Sequence, residues 1–134
     1  MVHEDLTKMI IGCAFDVINE LGAGFLESVY HKALTISLQQ KGFAVVSQHP
    51  IAVTYRGHAV GYFYADLLVE KAVIVEIKAV KSLLPEHQAQ VINYLKATGI
   101  DVALLFNFGT PKLEFKRLTN PANATSPTDR HTCL

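Results

Sequence analysis

With 134 residues, 50% of them hydrophobic and only 18% charged, the chain has the length and apolar content of one folded domain with a large core, which excludes a disordered chain. Twelve acids balance twelve Lys and Arg at pH 7, which excludes a module that coats nucleic acid by bulk positive charge. The balance is uneven, because residues 1–30 carry Glu4, Asp5, Asp16, Glu20 and Glu27 against Lys8 alone, a net −4 that the rest of the chain offsets.

Apolar residues at 6, 9, 10, 13, 14, 17, 18 and 21 repeat with helical period and predict an amphipathic helix from Leu6 to Leu21. Gly22-Ala23-Gly24 breaks the pattern. A second helix follows with Leu26, Val29, Tyr30, Ala33, Leu34 and Leu38 inward, stopping at Lys41-Gly42. The texture then turns β-rich over Phe43 to Val46, Ile51 to Tyr55, Val60 to Val69 and Val73 to Val80, punctuated by Pro50, Arg56-Gly57-His58 and Glu70-Lys71, and reads as an antiparallel meander. Leu84-Pro85-Glu86 starts a third helix that ends at Gly99. Asp101 to Phe108 is a strand buried on both faces, and Leu113 to Leu118 is a final edge strand. The expected order is α, α, three strands, α, strand, strand, with residues 1–118 as one domain and 119–134, rich in Pro, Thr, Asn and Ser, as a disordered tail.

Cys13 and Cys133 have the spacing of neither a disulfide framework nor a metal knuckle and read as free thiols. The N-terminus lacks a basic, apolar leader and no apolar run approaches ~18 residues, so the expected location is the cytoplasm, with no membrane partner.

Chemistry concentrates in the third strand, where Glu76 and Lys78 share a face inside the run Val73-Ile74-Val75-Glu76-Ile77-Lys78-Ala79-Val80. Charges in such a run cost several kcal/mol of desolvation unless they pair or bind something. Asp66 lies in similar apolar company one strand earlier. A tight two-residue turn at Glu70-Lys71 points it away from Glu76, whereas a three-residue loop, or one bulge, pairs Val69 with Val73 and sets Asp66 opposite Glu76. In that second register the two carboxylates beside Lys78 suit a hard divalent cation, Mg²⁺ or Mn²⁺, and phosphodiester hydrolysis is the reaction such parts serve. Lys71, Lys78 and Lys81 are the basic residues expected near this site.

Gly24-Phe25-Leu26-Glu27-Ser28-Val29-Tyr30 resembles the motif that names the GxxExxY proteins, a group similar to the PD-(D/E)XK nuclease superfamily. The resemblance continues through Tyr55-x-Gly57, Asp66-Leu67-Leu68-Val69-Glu70, Glu76-Ile77-Lys78-Ala79-Val80, Gln90-x-x-x-Tyr94-Leu95 and Leu105-Phe106-Asn107-Phe108-Gly109. It implies a restriction-endonuclease-like α/β (α+β) core: a mixed sheet made of a three-strand antiparallel meander and further strands, flanked by helices. It also implies that Glu27, Asp66 and Glu76 bind the metal, that Asp66, Glu76 and Lys78 are catalytic, and that Gln90 joins them on the helix it shares with Tyr94. Tyr30 and Tyr94 themselves read as core aromatics with hydrogen-bonded hydroxyls, and His31 and His87 as ordinary helix residues. The uncharged Phe63-Tyr64-Ala65 before Asp66 departs from members that carry a basic residue there.

The favoured reading is a Mg²⁺- or Mn²⁺-dependent nuclease, with nucleic acid as the partner despite the neutral net charge. Two others stay open: a non-catalytic homodimeric binding or scaffold module, and a small-nucleotide hydrolase with a closed pocket.

Overall fold

The computed structural model of the chain describes residues 3–123. Helices α1 (Glu4–Leu21) and α2 (Glu27–Gln40) precede strands β1 (Val45–Tyr55), β2 (His58–Val69) and β3 (Val73–Lys78). Then come helix α3 (Pro85–Thr98), strands β4 (Val102–Asn107) and β5 (Glu114–Thr119) and a 3-10 turn, Pro121–Asn123. The five strands form one sheet in sequence order, antiparallel except for β3 and β4, which run parallel because α3 carries the chain back between them. The mixed sheet with helices on both faces is the expected architecture.

Period-two alternation divides the core between those faces. Leu67, Val69, Val73, Val75, Ile77, Leu104 and Phe106 pack against Ile10, Ala14, Val17, Tyr30 and Leu34 of α1 and α2. Leu68, Ile74, Ala103 and Leu105 pack against Val91, Tyr94 and Leu95 of α3. The continuous apolar run of β4 is buried at every position, as its sequence requires of a strand covered on both sides. Among the described residues no helix is long and apolar enough to cross a membrane.

Four details differ from the sequence-based expectation. Pro50 does not divide two strands; it lies inside β1 opposite Tyr64, where its missing N–H is tolerated because β1 is an edge strand. Leu26, expected inward, is 80% exposed as the residue that caps α2, and Met9 on α1 is largely exposed too. The fold continues past Leu118: Thr119 ends β5, and buried Asn120 donates to the carbonyls of Leu95 and Ile100, closing the C-terminal end of α3. The rest of the tail expected from 119, residues 124–134, lies outside the described residues, as does Cys133; Cys13 is a buried free thiol.

Candidate active site

Residues 70–72 form a three-residue loop, with Glu70 and Lys71 both at positive φ and the N–H of Ala72 donating to the carbonyl of Val69. Val69 therefore pairs with Val73 and Leu67 with Val75, the register that brings Asp66 to Glu76. Beyond Leu67 the ladder gives way to side chains. The N–H of Asp66 donates to Oε1 of Glu76 (3.0 Å), and the N–H of Ile77 donates to Oδ2 of Asp66 (2.8 Å). Each carboxylate thus spends one oxygen on the opposite strand.

The pleat also changes phase at this point. Leu67 and Val45 face α1 and α2, yet Ala65 and Ile51, at the same parity along their strands, pack on the α3 side. Between them Gln48, across from Asp66 in the register, sits at φ 55° in the left-handed region that few non-glycine residues adopt. β2 pairs with β3 only over Leu67 to Val69, so the sheet is open where the acids meet.

Glu76 is 4% exposed. Burial in the first place, and then the charge of Asp66, push its carboxyl up to about 9, against the smaller opposing pull of Lys78. Without a cation Glu76 therefore keeps its proton at neutral pH, and a cation bound between the two carboxyls would displace it. Two hard oxygen donors that a cation can deprotonate fit Mg²⁺ or Mn²⁺, which bind through one or two carboxylates and fill the remaining positions with water or phosphate oxygens. Among the described residues no three His, Cys, Asp or Glu side chains form a complete protein cage. Glu27 is an exposed residue at the first turn of α2, in the field of Asp66, Lys78 and His31, and burial followed by Asp66 raises its carboxyl above the ordinary range.

The Gly24-x-x-Glu27-x-x-Tyr30 spacing has a structural reason. Tyr30, fully buried and stacked on Phe108 at 4.7 Å, donates its hydroxyl to the carbonyl of Gly22 (2.6 Å) and accepts the N–H of Phe25 (3.1 Å). Gly24 takes a φ of 112° in the loop so held. One turn before Tyr30, Glu27 is delivered to the end of the sheet, and His31 ties the same helix to β1 through Ser47 (2.8 Å). Tyr30→Phe removes both hydroxyl bonds; a loss of about 1–2 kcal/mol is expected in denaturant melts, since Phe25 N–H is left without its acceptor.

On the opposite face of the sheet, α3 opens with His87 accepting the N–H of Leu84. Tyr94 of α3 is buried, and its hydroxyl has no hydrogen-bond partner among the described residues, unlike the expectation for it. Burial, then Glu76 and Asp66, hold that phenol above its usual range, which places it in the field of the acid pair. Gln90 is exposed and lines a groove beside Tyr94. Of the three lysines expected nearby, Lys71 is at the wrong end: it turns the β2–β3 loop, about 17 Å from the level of Lys78 at the usual strand rise.

Sequence reasoning assigned no role to Asn107, although a polar residue in the run Val102-Ala103-Leu104-Leu105-Phe106-Asn107-Phe108 raises the same desolvation question as Glu76. Fully buried, Asn107 accepts the N–H groups of Val80 and Gly109 and donates to the carbonyl of Val80, all at 2.9 Å. With the bond from Phe108 N–H to the carbonyl of Lys78 (2.8 Å), it pins the chain leaving Lys78.

A mixed five-stranded sheet between helices, with two acids clasped where its strands part, defines a restriction-endonuclease-like protein. The family model described as the PD-(D/E)XK nuclease superfamily matches residues 4–118, and the chain belongs to that superfamily. Among solved structures it is similar to SSO0001, with a TM-score of 0.53 at 18% identity over 89% of this chain and 60% of that one. It is also similar to an alkaline exonuclease (LHK-Exo) from Laribacter hongkongensis, with a TM-score of 0.48 at 17% identity over 66% of this chain and 53% of that one. The chain therefore spans less than two thirds of the length of either. No curated protein matches the sequence.

Proposed function

We propose that the chain is a divalent-metal-dependent phosphodiesterase acting on nucleic acid, in keeping with its superfamily. The observation that carries this reading is the Asp66–Glu76 pair, two carboxyls cross-bonded between β2 and β3, with Glu76 buried and Lys78 in its field. Asp66 and Glu76 would hold Mg²⁺ or Mn²⁺, which supplies Lewis acidity toward a phosphoryl oxygen. Lys78, half-buried on the strand of Glu76, offsets charge developing on the phosphoryl group or orients the attacking water. Glu27 acts on the cation through water from the first turn of α2, and Gln90 meets the substrate from α3.

The test is cleavage of single- and double-stranded DNA and RNA by the purified protein with Mn²⁺ and with EDTA. Cleavage is expected with Mn²⁺ alone, and Lys78→Met is expected to lower kcat by about 10²-fold or more while Mn²⁺ still binds. Cutting that survives EDTA, or that is indifferent to Lys78, would contradict the reading.

A further inference from the structure

Between the inner face of the β1–β2 hairpin and α3 runs a groove of about 690 Å³. Phe63 and Tyr94, in tilted contact at 5.9 Å, form its aromatic wall, and Phe63 is 44% exposed. Gln90 and Asn93 edge it with exposed side-chain amides that have no hydrogen-bond partner among the described residues. Its charges cancel, Glu86 against Lys96. Tyr94 also packs in one cluster with Ala65, next to Asp66 in β2, and Ile74 of β3, so an occupant reaching out of the groove meets the candidate metal site.

Resting on the nuclease reading, we infer that this groove takes an unpaired nucleobase of the strand being cut, which makes a single-stranded or frayed end the substrate. A half-exposed aromatic face suits stacking, which every base offers. Amides bring donor and acceptor together and match the edge of a base. The absence of net positive charge argues against the groove holding phosphates, which need Lys and Arg. Its volume is that of a site for one small organic molecule. A duplex, whose major groove alone is about 12 Å wide, is too large to enter, and its bases are already stacked and paired.

The experiment measures binding apart from cleavage. Fluorescence anisotropy with Ca²⁺ in place of Mn²⁺ compares a labelled single-stranded 12-mer, the same 12-mer as a blunt duplex, and an abasic 12-mer. The proteins are the wild type, Phe63→Ala, and Ala89→Trp, which fills the groove from an exposed position of α3 and so spares the core. Each variant is expected to bind the base-bearing single strand about tenfold more weakly and the abasic chain unchanged. Equal losses on both chains, no loss in either variant, a preference for duplex, or no binding by the wild type would each overturn the inference. Failure of the two readings is distinguishable. Mn²⁺-dependent cutting with unaltered binding by both variants removes the groove and leaves the nuclease; groove-dependent binding without cutting does the reverse.

Discussion

Glu76→Gln is expected to lower Mn²⁺-dependent cleavage by about a hundredfold or more, yet at pH 8 to leave the folded chain at least as stable as the wild type. The two effects part because the wild-type carboxylate is costly where it stands: 4% exposed and beside Asp66. Gln keeps an Oε1 for the N–H of Asp66 and carries no charge. The pH dependence follows from the same shift. The carboxyl of Glu76 is near 4.5 in the unfolded chain and is pushed up to about 9 in the metal-free fold by burial and by Asp66. Between those values the folded state binds more protons than the unfolded one, so stability falls as pH rises. This contribution is complete below the unfolded value and lost through the folded one. The Tm of the wild type relative to Glu76→Gln should therefore drop by at least about 3 °C from pH 5 to pH 9. Mn²⁺ should restore it more at pH 8 than at pH 5, because the cation replaces the proton. A Tm difference that stays flat with pH would mean that Glu76 is an ordinary solvated acid.

Gly109→Ala should cost about 3 kcal/mol or more of stability, and cleavage by any protein that still folds should fall with it. A Cβ at Gly109 would lie 2.2 Å from the carbonyl oxygen of Val80 and 2.4 Å from its nitrogen. Both are backbone atoms, and both are held by the amide of Asn107, so neither can retreat without breaking buried hydrogen bonds. The same displacement would disturb the carbonyl of Lys78, which accepts the N–H of Phe108. Chemical denaturation of the variant beside Gly12→Ala, a site with open space around its Cβ, measures the difference. Equal stability of the two would show that the clamp is not tight.

What could be read from the sequence followed from periodicity. The helices, their glycine stops and the doubly buried β4 all rest on apolar spacing, and the folded chain keeps them. The sequence is compatible with two registers of Asp66 against Glu76 for a physical reason. Glu70 and Lys71 take positive φ without the Gly or Asn that ordinarily signals such a loop, so loop length was not written in residue type. Gln48 hides the phase change of the hairpin in the same way. Pro50 misled in the opposite direction, because a strand breaker is harmless on an edge that only the finished sheet defines. At the site itself, acids in apolar runs mark Asp66 and Glu76, and the fold brings the two together. The exposed placement of Glu27 and the distance of Lys71 are tertiary facts that spacing does not carry.

The central claim, that Asp66 and Glu76 form a divalent cation site, is tested most directly by an anomalous difference map from a Mn²⁺-soaked crystal. A peak is expected within about 2.0–2.3 Å of one carboxylate oxygen of each residue, the oxygens that do not accept the N–H groups of Ile77 and Asp66. An empty gap between the two carboxylates at saturating Mn²⁺, or a peak only elsewhere on the molecule, would contradict it.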